Sequence, residues 1–357
     1  MRLEKQGVEE PISQTQKVYA YLEQLAYDLG PNQQMPTFAK LCEELQVSIS
    51  TVNRALELLE AHRILHRRPR IGIFVTPTLR QRNLAVVFNS SIFEGAEVST
   101  FWKVLLDSIY NYTKEQHYNL SIHLTALRKQ EYLFFPDFMK EVEDHHFQGI
   151  FCVGLSPDAA QWLMHRVPNT VGFQGNALAR VDVDFTCLIR AGTAHLIQRG
   201  CKKIAFILPG AFSETLADTF RSEMTGAGFS LDAALVFRGD AASFWQEGYD
   251  AAHQMYKNSP SPDGVLIPSE MAAFGALTAF QERNIAIGDS LKVAVHSNQG
   301  SMILAPWMSH IARLEVAPGE IVAIMAAKME ALFADGKKTN SQYFHQPHLK
   351  LPEERTR

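Results

Sequence analysis

Apolar residues recur at helical spacing three times near the start of the chain: Val18, Leu22, Leu25 and Leu29, then Phe38, Leu41 and Leu45, then Val52, Ala55, Leu56 and Leu59. Such stripes predict three amphipathic helices that each bury one face. Thr37, after Met35 and Pro36, marks the start of the second. Ser48 opens the third by offering its side-chain oxygen to backbone N–H groups that a first turn leaves unpaired. With the third stripe turned inward, Ser50, Thr51, Asn53 and Arg54 face outward, and a short hairpin centred near Gly72 follows.

After a linker at residues 78–83, short apolar runs alternate with helical patterns to the end of the chain. Candidate strands are 84–88, 119–124, 149–153, 170–173, 203–208, 234–237, 264–267, 292–296 and 311–314. Continuous apolar strands separated by helices predict an α/β fold with parallel sheets covered on both faces. Nine strands favour two doubly wound subdomains over one sheet, with a ligand cleft at the carboxyl ends of the strands. The chain of 357 residues and 46% hydrophobic content suits two or three domains with real cores.

Charge sharpens the first part of the picture. The formal net charge is −4, yet residues 61–82 carry Arg63, Arg67, Arg68, Arg70, Arg80 and Arg82 and no Asp or Glu. A local cationic stretch beside a helix face of short hydrogen-bonding groups suits a polyanion. Ser, Thr and Asn read base edges in the major groove, and arginines release counterions from phosphates. Cys42, Cys152, Cys187 and Cys201 lack C-x-x-C spacing and predict buried thiols. The first sixteen residues have no apolar signal core and no run approaches a membrane span, so a cytoplasmic location is expected.

Residues 13–77 resemble the winged helix-turn-helix of GntR-type transcription regulators through MPTFAKLCEELQVSISTVNRALELLE and the wing RRPRIGIFV. The resemblance implies that Ser48, Ser50, Thr51, Asn53 and Arg54 lie on a recognition helix and that Arg68, Arg70 and Gly72 lie on a wing. Thr37 and Arg67 complete the candidate DNA-contacting set. Two positions depart from the family pattern: Ala39 and Ile49 stand where relatives commonly carry arginine.

Residues 84–357 resemble the effector-binding domain of LacI/GalR-type repressors, itself similar to periplasmic sugar-binding proteins. The stretches that carry this are VDVDFTCLIRAGTAHLIQRGCKKIAFILPG, FRSEMTGAGF, GYDAAHQMY, PDGVLIPSEMAAFGALTAFQERNIAIGDSLKVAVHSN and the terminal LPEERTR. The implied architecture is bilobed, with crossings between lobes expected near 199–202, 299–302 and 318–322. Candidate effector-binding residues are Asn89, Ser90, Asp184, Ser269, Glu270 and Asn298 for polar contacts, and Phe88, Phe173, Phe212 and Trp245 for stacking. Ser269-Glu270 stands where the family usually carries a sugar-binding Asn-Asp pair, His296-Ser297-Asn298 where it usually carries Phe-Asp-Asp, and Leu216 where it often carries an arginine. A lost guanidinium removes a bidentate anchor.

An enzyme is not expected: the chain lacks a G-x-S-x-G elbow, a phosphate-binding G-x-x-x-x-G-K-[ST] loop and an H-E-x-x-H helix. Glu141, Asp144, His145 and His146 read as the solvated end of a helix, because adjacent histidines point about 100° apart there. No catalytic residue, metal or cofactor is assigned. The expected protein is a transcription regulator, a repressor by analogy, binding a pseudo-palindromic double-stranded operator as a homodimer and tuned by a sugar-related small molecule. Two alternatives stay open: a ligand-binding module without specific DNA binding, and a carbohydrate-acting enzyme.

Overall fold

The computed structural model describes residues 14–77, 79, 82–94, 98–128, 131–177, 179–229, 233–240, 243–257, 261–335 and 341–352. Thr78, Arg80 and Gln81 of the expected linker, and most of the terminal LPEERTR, lie outside the described residues. Contacts divide the chain into two compact units: residues up to Arg82 with His117–Asn119, and the remainder.

The first unit contains α1 (Gln14–Leu29), α2 (Phe38–Leu45), α3 (Ile49–Ala61) and a hairpin of β1 (Leu65–Arg68) and β2 (Gly72–Val75). Val18, Leu22, Leu41, Val52, Leu56 and Leu59 meet in one buried cluster, as their spacing requires. Between α2 and α3 the chain reverses at Gln46, whose φ of +49° is left-handed. Register pairs Leu65 with Val75 and Arg68 with Gly72, leaving Pro69, Arg70 and Ile71 as the hairpin tip. Arg70 sits at φ +66° and Gly72 at +144°, a reversal that suits glycine at its second position. Residues 32–35 reinforce the hairpin: Met35 N–H donates to Ile73 O at 2.9 Å and Val75 N–H to Gln33 O at 2.8 Å.

The second unit holds two sheets. The first, in order β14-β8-β7-β6-β3-β4-β5, is built from β3 (Asn83–Phe88), β4 (Asn119–Arg128), β5 (Glu131–Phe134), β6 (Gly149–Val153), β7 (Thr170–Phe173), β8 (Ala179–Val183) and β14 (Ser341–His345). Its helices are α4 (Thr100–Glu115), α5 (Pro136–Glu143), α6 (Pro157–Arg166) and α11 (Pro318–Asp335). The second, in order β10-β9-β11-β12-β13-β15, is built from β9 (Ile204–Leu208), β10 (Val236–Arg238), β11 (Gly264–Ile267), β12 (Lys292–Asn298), β13 (Ala312–Val316) and β15 (His348–Lys350). Its helices are α7 (Phe185–Gln198), α8 (Glu214–Gly226), α9 (Phe244–Met255) and α10 (Glu270–Glu282). Fully buried strands such as β6 and β9 explain the unbroken apolar runs.

The sheets are mixed and not wholly parallel: β4–β5 and β13–β15 pair antiparallel. Strands β5, β8, β14 and β15 escape the sequence reading because they are short or alternate apolar with charged residues. In β8, Arg180 and Asp182 face outward and pair at 2.7 Å. The crossings also differ from expectation. Helix α7 packs on the second sheet, so the first crossing falls at Asp184 and not at 199–202. Strands β12 and β13 share one sheet, so none falls at 299–302. The second lies at Ala317, next to the expected 318–322, and the third between His345 and His348. Helices α9 and α10 approach closely: a Cβ on Gly248 would lie 1.9 Å from Ala272 O, and one on Gly275 2.0 Å from Trp245 O.

Candidate nucleic-acid interface and effector cleft

In the first unit, Ser48 caps α3 by accepting from Thr51 N–H at 3.2 Å, and its hydroxyl also bonds those of Ser50 (2.9 Å) and Thr51 (2.8 Å). Thr37 caps α2 in the same way, accepting from Lys40 N–H at 3.4 Å. Val52, Ala55, Leu56 and Leu59 are fully buried, which turns Ser50 and Arg54 to solvent and leaves Thr51 and Asn53 half-exposed.

Arg67 is not an open phosphate contact. Its Nη2 donates to Asn53 Oδ1 at 3.0 Å and its Nε pairs with Glu60 at 3.2 Å. Asn53 in turn donates to Glu57 Oε1 at 2.6 Å. Arg68 lies 4.6 Å over the Phe74 ring and donates to His66 at 3.2 Å. Arg54 and Arg70 are exposed. Gln34, absent from the sequence-based set, braces the wing by donating to Ile71 O at 3.1 Å, and a Cβ on Gly72 would strike its amide at 2.6 Å. Ile49 and Ile71 are 69% and 63% exposed, so the helix start and the wing tip each present a large apolar side chain.

The second unit contains a cleft of about 330 Å³ where carboxyl ends of strands meet helix starts. Four of the ten candidate effector residues line it: Phe212, Ser269, Glu270 and Asn298. The others do not. Phe88 and Phe173 end β3 and β7 but are buried core side chains. Asn89 is spent bridging Gly154 O (2.9 Å) and Ser91 N–H (3.1 Å), and Ser90 N–H bonds Thr125. Asp184 caps α7 by accepting from Cys187 N–H at 2.8 Å, and Trp245 stacks on Tyr249 at 5.0 Å. Leu216 is buried on α8.

The aromatic lining that sequence reasoning missed is Phe101, Trp102, Phe185 and Phe244. A signal was present: each lies within three residues after a capping Ser99, Asp184 or Ser243, and helix starts after strands are where such clefts form. Glu270 is buried and accepts from both Asn298 N–H (3.1 Å) and Asn298 Nδ2 (2.9 Å). Burial raises its carboxyl above the usual range while the Asn298 bonds pull it back. Burial also lowers His296 to about 4, so its imidazole is neutral at pH 7, and its Nε2 is covered without a partner.

Two clusters bear on metals. Glu141, Asp144, His145 and His146 terminate α5, with His145 at φ +55°. At the third crossing, Glu320 lies 3.0 Å from His348 Nε2 and 3.8 Å from His345 Nδ1, all within 4.8 Å of one another. Ala317 N–H donates to His345 Nε2 at 3.5 Å, which favours the tautomer carrying its proton on Nδ1. All four cysteines are free thiols; Cys152 and Cys201 are buried as expected, whereas Cys42 and Cys187 are only half-buried. Among the described residues no helix is long and apolar enough to cross a membrane.

Comparison with known proteins agrees with this geometry. Residues 14–75 match the model for bacterial regulatory proteins of the gntR family, and residues 193–351 match that for a periplasmic binding protein-like domain. Catabolite control protein A of Staphylococcus xylosus is 24% identical over 125 residues, 34% of this chain and 36% of that protein. The HTH-type transcriptional regulator AglR of Rhizobium meliloti (strain 1021) is 31% identical over 122 residues, 33% of each. The chain thus aligns with about a third of the length of these curated relatives. Among solved structures, a transcriptional regulator CelR–cellobiose complex superposes with TM-score 0.58 at 16% identity, over 86% of this chain and 91% of that one. A LacI family transcriptional regulator from Lactobacillus casei with bound sucrose does so with TM-score 0.56 at 15% identity, over 76% and 99%. At such identities the likeness to solved structures establishes the fold alone, and the two family models place a gntR-type segment at residues 14–75 and a periplasmic binding protein-like segment at 193–351.

Proposed function

We propose that the gntR-family head reads DNA and that a small molecule in the cleft of the second unit modulates that reading, making the protein a transcription regulator. The observation that carries this is the capped α3: its apolar stripe is fully buried, its polar side is open, and exposed Arg54 and Arg70 stand on the helix and the wing tip. A helix with these groups fits the major groove, where Ser, Thr and Asn meet base edges and arginine meets guanine or phosphate.

Four of the sequence-based effector residues line one cleft of ligand size, and two solved structures of this fold hold cellobiose and sucrose. These support a sugar-related effector. A homodimer is the arrangement that presents two heads to a pseudo-palindromic operator, and repression is the sign suggested by resemblance alone. The chain works in the cytoplasm, where the DNA is, and carries out no reaction of its own. Effector control requires that the ligand favour one of two conformations of the protein. A gel-shift titration on the upstream region of the protein's own gene tests the reading. A preference for that DNA over random duplex is expected, and equal affinity for both leaves only a ligand-binding module.

A further inference from the structure

Resting on the reading of the cleft as the effector site, we infer that its ligand is an uncharged glycoside with an aromatic aglycone, and not a free, phosphorylated or acidic sugar. Three features of the lining lead there.

The first is charge. Among the described residues no lysine or arginine lines the cleft, and its ionisable groups are Glu270 and His296. A phosphate or carboxylate placed there would meet a carboxyl group and a neutral imidazole, with no cation to replace its hydration.

The second is commitment of the polar groups. Ser99 Oγ accepts from Phe101 N–H at 3.2 Å and Ser269 Oγ from Ala272 N–H at 3.3 Å. Glu270 and Asn298 are joined to each other through two bonds. This leaves few groups to meet a ligand: the hydroxyl protons of the two serines, the side-chain amide of Gln174 on the opposite wall, and His296 Nε2, which has no partner among the described residues. A free hexose brings a hydroxyl on nearly every carbon, and each one buried without a partner is costly.

The third is shape. Phe101 and Trp102, 4.9 Å apart, line the side of the first sheet. Phe185, Phe212 and Phe244 form a chain on the side of the second, with centroid spacings of 5.2 and 6.1 Å. Two aromatic walls facing one slot suit a flat apolar ring between them, with a sugar hydroxyl directed at His296.

The test uses the full chain and thermal shift together with tryptophan fluorescence, since Trp102 lines the cleft. The probes are phenyl β-D-glucoside and phenyl β-D-galactoside, set against glucose, galactose, cellobiose, glucose 6-phosphate and glucuronate. An aryl glycoside is expected to raise Tm, change the emission and bind at least tenfold more tightly than its parent sugar. Phe212→Ala and His296→Phe should each weaken it tenfold or more, with unchanged far-UV circular dichroism. Tighter binding of a free, phosphorylated or acidic sugar that Phe212→Ala abolishes would overturn the ligand class while keeping the cleft as the effector site. No response to any probe, or binding indifferent to both substitutions, would overturn the cleft itself.

Discussion

Arg67 Nη2 donates to Asn53 Oδ1 at 3.0 Å, tying the first wing strand to the recognition helix. Because Asn53 also donates to Glu57 and Arg67 also pairs with Glu60, one exposed network sets the amide's orientation. Arg67→Ala is expected to change stability by less than ~1 kcal/mol, as exposed pairs do. It should nonetheless weaken operator binding roughly tenfold, the scale of one misplaced polar contact. Denaturant unfolding alongside fluorescence anisotropy separates the two effects; a stability loss that accounts for the whole affinity change would contradict the positioning role.

Ile49 stands at the first helical position of α3 and is 69% exposed. An apolar side chain at the mouth of the major groove has the thymine methyl as its natural partner. Ile49→Ala is expected to lower affinity severalfold only for operators with thymine at one half-site position. Deoxyuridine at that position should reproduce the loss in the wild type and add nothing in the variant.

Glu270 holds Asn298 by its backbone and its side chain, joining the start of α10 to the end of β12. Truncation to Ala leaves a buried N–H and amide unpaired, at a cost of about 1–3 kcal/mol. Glu270→Gln keeps the acceptor for the backbone N–H and should cost less. Thermal unfolding checks the order; equal Tm values for the two variants would show that the pair contributes little.

His296 is held down to about 4 from an ordinary 6.5, so below pH 6.5 the unfolded chain takes up a proton that the native ring resists. Its contribution is present at neutral pH and is lost as pH falls from 6.5 towards 4, by up to roughly 3 kcal/mol. Glu270, raised by burial, acts in the opposite sense above its ordinary 4.5, where its neutral form is the better buried one. Unfolding free energy should therefore fall on acidification in the wild type and fall less in His296→Phe. Parallel pH profiles for the two proteins would exclude the ring as the cause.

Much of the head was legible in the sequence because its logic is local. A cap at Ser48 and a stripe of Val52, Ala55, Leu56 and Leu59 fix which side of α3 is buried, and the structure keeps both. The cleft was legible only in part, because its walls are assembled from helix starts far apart in the chain. Ser269, Glu270, Asn298 and Phe212 followed from positions at or just after strand ends, but Phe88 and Phe173, which also end their strands, turn into the core and not into the cleft. The crossings were misplaced for a similar reason: β8 and β14 join a sheet whose other members are distant in sequence, β8 is hidden by its alternating charges, and β14, SQYFH, has no apolar run.

The central claim is that the outward side of α3 and the wing engage duplex phosphates and bases. Its most direct test is the salt dependence of operator affinity, measured by fluorescence anisotropy for the wild type, Arg54→Ala and Arg70→Ala. The account predicts a linear decline of log affinity with log salt, and a slope shallower by about one for each arginine that meets a phosphate. A slope unchanged by either substitution, with no preference for the operator over random duplex, would contradict it.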